Sequence, residues 1–181
     1  MRRSGIAALA LSAVVGLGLA GCSKDAAPSL PQPDTKKAAT ELQAGLQAQS
    51  KGDLDVATTH YQESLKYDPK NKYALYNLAL VDASQANYGQ AEKKYRVVLG
   101  IDPAYTPALF NLAILRKNSG DTTEAAQLYR RLLAVNPKDA AAHMNFGLLL
   151  RSVGQKAEGD AAVRQAVTLN PALKDPAAAK K

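Results

Sequence analysis

Apolar and polar positions follow a helical rhythm over most of the chain. Leu109, Leu112 and Ala113 stand at i, i+3 and i+4, and Leu75, Leu78 and Ala79 repeat the set 34 positions earlier. That spacing is the stripe of an amphipathic helix with one buried face. The same interval of 34 returns Asn77, Asn111 and Asn145, then Ala57, Ala91 and Ala125, then Tyr61, Tyr95 and Tyr129. It also returns Pro69, Pro103, Pro137 and Pro171, each preceded by Asp or Asn. A period held through four units predicts stacked supersecondary units, because one unit cannot bury its apolar face alone. The units fall at residues 38–71, 72–105, 106–139 and 140–173.

Each unit reads as two helices. The first runs about thirteen residues to a turn carrying Gly52-Asp53, Ala86-Asn87, Gly120-Asp121 or Gly154-Gln155. Asp121 and Glu124 have the spacing of a capping box. The second helix ends before its proline, which lacks a backbone donor and disfavours helical geometry in the residue before it. Gly45, Ala79, Ala113 and Gly147 share one register, and Ala57, Ala91, Ala125 and Gly159 share another. Small residues on both helices allow close antiparallel packing.

The N-terminus has a different pattern. Met1-Arg2-Arg3 precedes fifteen residues, from Ile6 to Ala20, that are all Ala, Leu, Val, Ile, Gly or a single Ser. A membrane-spanning helix needs about 20 apolar residues, so this run fits the apolar region of an export signal better than a permanent span. Leu19-Ala20-Gly21-Cys22 resembles the lipobox of bacterial lipoproteins. That resemblance implies cleavage after residue 21, lipidation of Cys22, and a mature protein anchored outside the cytoplasm, at an outer membrane or the outer face of the cytoplasmic membrane. Ser23 after the cysteine resembles the outer-membrane default. The alternative is an ordinary secretory signal with an incidental cysteine. Residues 23–37 hold Pro28, Pro31, Pro33 and three Lys with almost no large apolar side chain, so they read as a flexible tether. Its reach is about 20 Å as a coil and about 46 Å in polyproline geometry.

The whole chain carries 23 Lys and Arg against 16 Asp and Glu, a net charge of +7. Residues 38–173, however, carry fifteen basic and thirteen acidic residues, so the excess lies mostly in the signal, the tether and the tail at 174–181. That distribution argues against a nucleic-acid-binding domain. The tail, with Lys174, Lys180 and Lys181, reads as disordered and solvated. One Cys and two dispersed His supply neither an internal disulfide nor a metal centre, and no cofactor is implied.

With the periodicity in hand, the chain resembles the tetratricopeptide repeat family, whose 34-residue pattern places a large apolar residue, Leu and a small residue early, then Ala, an aromatic and Pro. The resemblance implies an all-α, right-handed solenoid of four helix-turn-helix repeats, eight helices in all. Asp82 and Arg116 depart from the family's Tyr at repeat position 11, which puts the packing of that turn in question. The resemblance also implies a concave groove lined by the first helices, where such solenoids bind extended segments of other proteins. Its lining would be Gln43 with Leu42 and Leu46, then Tyr73, Tyr76, Asn77 and Leu80, then Phe110, Asn111, Ile114 and Lys117, then Met144, Asn145, Leu148 and Arg151. Gln43, Asn77, Asn111 and Asn145 would place an amide at position 6 of every repeat. An amide offers both donor and acceptor to a peptide unit, and the row resembles the asparagine ladder of peptide-binding members. The competing reading is that these amides satisfy their own helices.

The family's carboxylate clamp for chaperone tails needs cations where this chain has Leu42, Pro107 and Asn111, so that specialised activity is not expected. Lys117 and Arg151 remain candidates to attract an acidic ligand. No nucleophile, base and orienting group assemble, and no glycine-rich phosphate loop follows a strand, so catalysis is not expected either. The expected function is a membrane-anchored interaction adaptor for other envelope proteins, monomeric without a partner. The alternative is a self-assembling envelope component that uses an uncapped C-terminal repeat. The small residues Gly159, Val163 and Ala166 favour a last repeat that serves as its own cap.

Overall fold

A computed structural model of the chain describes residues 32–178. The expected signal, Cys22 and most of the tether lie outside the described residues. Eight helices follow in order: α1 (Thr35–Ser50), α2 (Leu54–Tyr67), α3 (Lys72–Ser84), α4 (Tyr88–Ile101), α5 (Thr106–Asn118), α6 (Thr122–Val135), α7 (Ala140–Ser152) and α8 (Lys156–Leu169). They pack as consecutive antiparallel pairs, and each pair touches the next. The all-α helix-turn-helix solenoid expected from the period is the fold of this chain. Among the described residues, no helix is long and apolar enough to cross a membrane.

The helices start where side-chain acceptors meet unpaired backbone donors. Asn71 accepts from Tyr73 N and Ala74 N, Asp121 from Glu124 N, and Asp139 from Ala142 N. Only half of the Asp121–Glu124 capping box forms, because the Glu124 carboxylate turns to Arg96 and Arg116 instead of reaching back. Three of the four inner turns use glycine at positive φ: Gly52 at 87°, Gly120 at 90° and Gly154 at 84°. A residue without a Cβ adopts that geometry at no steric cost. The fourth uses Ala86, at 61°.

Two expected boundaries are corrected. The tether was expected to run through residue 37, but α1 begins at Thr35. Asp34 caps it, accepting from Lys37 N at 3.0 Å, and its own N–H donates to the Tyr67 carbonyl at 3.0 Å. Capping and an anchor on α2 together order residues that their composition leaves free. At the other end, the tail was expected to be disordered from residue 174. Instead Leu173 packs against the cluster of Met144, Val163 and Ala166. The Asp175 carboxylate then forms a fork with the Arg151 guanidinium at 2.6 and 2.9 Å. A bidentate charge-assisted pair fixes a segment that has little apolar area of its own.

The core runs along the solenoid. Tyr61, Tyr95 and Tyr129 are each at most 1% exposed, and burying a large side chain this fully contributes about 1.5–3 kcal/mol. The tyrosines are accommodated by the small residues opposite. A Cβ added at Gly45 would sit 2.5 Å from the Tyr61 ring. In the last pair both helices carry glycine, and a Cβ on Gly147 would meet the Gly159 carbonyl oxygen at 2.7 Å.

The question at repeat position 11 is resolved by charge. Asp82 pairs with Lys94 at 2.6 Å. Arg116 pairs with Glu92 at 3.0 Å and with Asp121 at 2.8 Å, and lies 2.8 Å from Glu124. Its Nε lacks a well-aligned acceptor, so the Glu124 contact is an ion pair and not a hydrogen bond. Ion pairs therefore replace the family's aromatic contact between the two helices of these repeats.

Candidate functional site

The first helices α3 and α5 bring together the aromatic part of the expected groove. Tyr73 and Tyr76 rise from the first turns of α3, and both meet Tyr105 edge-on, with ring centroids 6.0 and 5.3 Å apart. Tyr76 also packs on the core residue Tyr95 at 5.9 Å, and Phe110 on Tyr129 at 6.1 Å. The Tyr76–Tyr95 pair is tilted, and the three edge-to-face contacts add about 0.5–1.5 kcal/mol each beyond buried area. The cluster is a fixed platform whose outer member, Tyr73, stays 50% exposed. Burial pushes the Tyr76 and Tyr105 hydroxyls above their ordinary pKa, so both are neutral donors near neutral pH.

Tyr105 was not among the residues expected from sequence. A signal was there: its register holds Asn71 and Asp139, which cap their helices, whereas Tyr105 caps α5 with no side-chain bond. A residue that abandons the local role of its register is free for another. The Lys72 ammonium lies over the Tyr73 and Tyr105 rings, 5.2 and 5.3 Å from their centroids, and donates to Asp102 at 2.6 Å. Hydrogen bonding to Lys72 holds the Asp102 carboxyl below its usual range. The pair is neutral overall and leaves the platform without net charge.

The amide row is tied to its own helices. Asn77 Nδ2 donates to the Tyr73 carbonyl at 2.8 Å, Asn111 to Pro107 at 2.9 Å, and Asn145 to Ala141 at 2.9 Å. Asn111 also donates to the Tyr76 hydroxyl oxygen at 3.0 Å, so both of its N–H groups are engaged. Each Oδ1 keeps its acceptor capacity, and Asn77 and Asn145 keep one N–H each. Gln43 stands apart: it lines a concavity on the outer face of α1 with Lys36, Ala39, Thr40, Ala44 and Gln47.

The remaining expected residues divide by surroundings. Ile114 and Lys117 are half-buried on α5, and Lys117 has no ion pair among the described residues. Met144 is buried, and Leu148 packs beside it in the cluster under Leu173. Arg151 is not free for an acidic ligand, because Asp160 at 2.7 Å and Asp175 hold its guanidinium. Those carboxylates raise the Arg151 pKa further. Neither histidine joins the groove. His60 pairs with Glu41 at 2.8 Å, and His143 meets the Pro137 carbonyl at 2.9 Å. Among the described residues, no three His, Cys, Asp or Glu side chains gather closely enough to hold a metal ion.

Three family profiles described as tetratricopeptide repeat match the chain, over residues 42–106, 82–145 and 140–173. No curated protein matches it. Solved structures do. MamA 41-end from Desulfovibrio magneticus RS-1 is 21% identical with a TM-score of 0.68, the match covering 78% of each chain. The first TPR of Spaghetti (RPAP3), bound to the HSP90 peptide SRMEEVD, is 21% identical with a TM-score of 0.64, covering 68% of this chain and 98% of that one. PilF from Pseudomonas aeruginosa is 21% identical with a TM-score of 0.67, covering 75% and 62%. At these identities the likeness is one of fold.

Proposed function

The chain belongs to the tetratricopeptide repeat family, and on that premise we propose that it is a protein-interaction scaffold, anchored to a membrane through a lipidated Cys22 and facing outside the cytoplasm in a bacterial envelope. Stacked helix pairs present an extended surface that rigid domains with closed cores do not. One observation carries the reading: the fixed aromatic platform of Tyr73, Tyr76 and Tyr105, bordered by the Asn77 and Asn111 amides. Half-exposed rings offer apolar area at low entropic cost, and the amide oxygens accept from the N–H groups of an extended backbone. Its occupant is an extended segment of another envelope protein.

The solved structure of the first TPR of Spaghetti (RPAP3) holds an HSP90 peptide ending Glu-Glu-Val-Asp. This chain's platform differs in charge, since its one cation there, Lys72, is neutralised by Asp102. The segment it takes is therefore apolar or aromatic and not a string of carboxylates.

A photo-crosslinking side chain placed at Tyr73 tests the groove in living cells, with Val56, equally exposed on a second helix, as the control position. Discrete protein adducts from position 73 and none from position 56 are expected. Adducts of equal yield from both would refute a groove-specific partner.

A further inference from the structure

A forward-reaching ion pair links the second repeat to the third and the third to the fourth, and among the described residues it has no counterpart after the fourth. Arg96 on α4 reaches Glu124 in the first turn of α6 at 2.8 Å, and Arg130 on α6 reaches Glu158 in the first turn of α8 at 3.4 Å. Arg164 on α8 stands 34 residues after Arg130. It is exposed, and no carboxylate pairs with it among the described residues. Beside it, α8 and the returning tail enclose a concavity of about 690 Å³, walled in part by Val163, Val167 and Leu173. The same registers one and two repeats earlier hold Tyr95 with Leu99 and Tyr129 with Leu133, which share one apolar core with residues of α5 and α7. Val163 itself is 1% exposed beneath Leu173, so the apolar surface that the end of α8 offers is that of the partly exposed Val167 and Leu173, set beside the charged half of a repeat junction.

We propose that this end is a docking surface for a helical partner that stacks on α8 as a further helix pair and gives Arg164 a carboxylate from the first turn of its second helix. Charge complementarity selects such a partner, because Arg164 and Lys174 stand exposed at the apolar wall while the carboxylate in the same lining, Asp175, is already taken by Arg151. A second copy of this chain fits badly. In the register of Glu124 and Glu158, its first repeat carries Val56, which is half-exposed. The outward face of its α1 adds Lys36 among small and polar residues, so stacking would bring a cation to a basic rim and bury little apolar area. The site is separate from the aromatic platform and does not depend on what occupies it.

The test uses the full chain and a labelled synthetic helical hairpin that reproduces residues 106–139, held together by an engineered disulfide. One version carries Glu124 and the other Glu124→Lys. Fluorescence anisotropy is expected to show the Glu124 hairpin binding roughly tenfold more tightly than the Lys version, a preference that weakens with salt. Arg164→Glu, an exposed change that should leave the thermal midpoint of the scaffold in place, reverses the preference. Lys51→Glu, an exposed charge reversal at the end of α1, leaves it unchanged. Failure of the Glu124 hairpin to bind, equal binding of both, or an unchanged preference in Arg164→Glu would overturn the proposal. So would sedimentation showing that the full chain self-associates through a surface lost in Arg164→Glu, which would assign the end to a second copy.

Discussion

Ala86 occupies the left-handed backbone region that glycine fills in the other three inner turns, and a Cβ there crowds the neighbouring carbonyl. Replacing it with glycine relieves that strain without removing a contact, so Ala86→Gly is expected to stabilise the domain by about 1 kcal/mol in denaturant titrations. The converse change, Gly120→Ala, meets no neighbour within 4 Å and should cost about as much through backbone strain alone. The asparagines make a different point at this scale. Sequence placed an amide in one register of every repeat, yet it could not show that Asn77, Asn111 and Asn145 would donate to carbonyls one turn earlier. A ligand therefore meets mainly their oxygens. Once a binding segment is in hand, Asn111→Ala should weaken it by about 1–3 kcal/mol if Oδ1 accepts from a buried peptide N–H. Unchanged affinity in the triple Asn→Ala variant would refute the ladder.

Between elements, the tightest contact is the glycine-to-glycine approach of α7 and α8. Gly147→Ala would force a Cβ to within 2.7 Å of a backbone oxygen, and backbone cannot rotate away as a side chain can. The expected loss is about 1–3 kcal/mol in the unfolding midpoint, larger than that of Gly52→Ala, whose added Cβ meets nothing within 4 Å and costs backbone strain only. The tail makes a second element-scale prediction. The Arg151 guanidinium, with help from the Ala177 N–H, lowers the Asp175 pKa to about 2 from an ordinary 3.8. A depressed folded pKa means the latch contributes fully above the unfolded value and fades as pH falls toward 2. A spin label or fluorophore at Ala178 should report a fixed tail at pH 7 that loosens between about pH 4 and 2. Asp175→Asn should loosen it at every pH. A tail equally fixed in that variant would mean that Leu173 alone holds it.

For the whole molecule, a fragment of residues 33–178 should give a helix-dominated circular dichroism spectrum and unfold cooperatively, because four stacked units exceed the minimum of about three that such arrays need. Cys22→Ala should release the full chain from the membrane fraction and remove the lipid mass, and identical partitioning would refute the anchor. The helical fold was legible from the chain because it rests on local facts repeated with one period: apolar stripes, capping acids, turn glycines and terminating prolines. Small residues at matched registers likewise foretold where helices would approach. What the tertiary structure alone decided depends on groups far apart in sequence. It turned Tyr105 from a missing cap into part of an aromatic platform, replaced an aromatic contact with the Arg116 ion pairs, and drew Arg151 out of the expected groove to hold the tail. It also left Arg164, the last member of a series whose earlier partners lie 28 residues ahead, without a carboxylate partner among the described residues. Local propensity sets each helix through its nearest neighbours along the chain. The partner of a charged side chain is set by which repeat lies beside it, a relation that exists only once the helices have stacked.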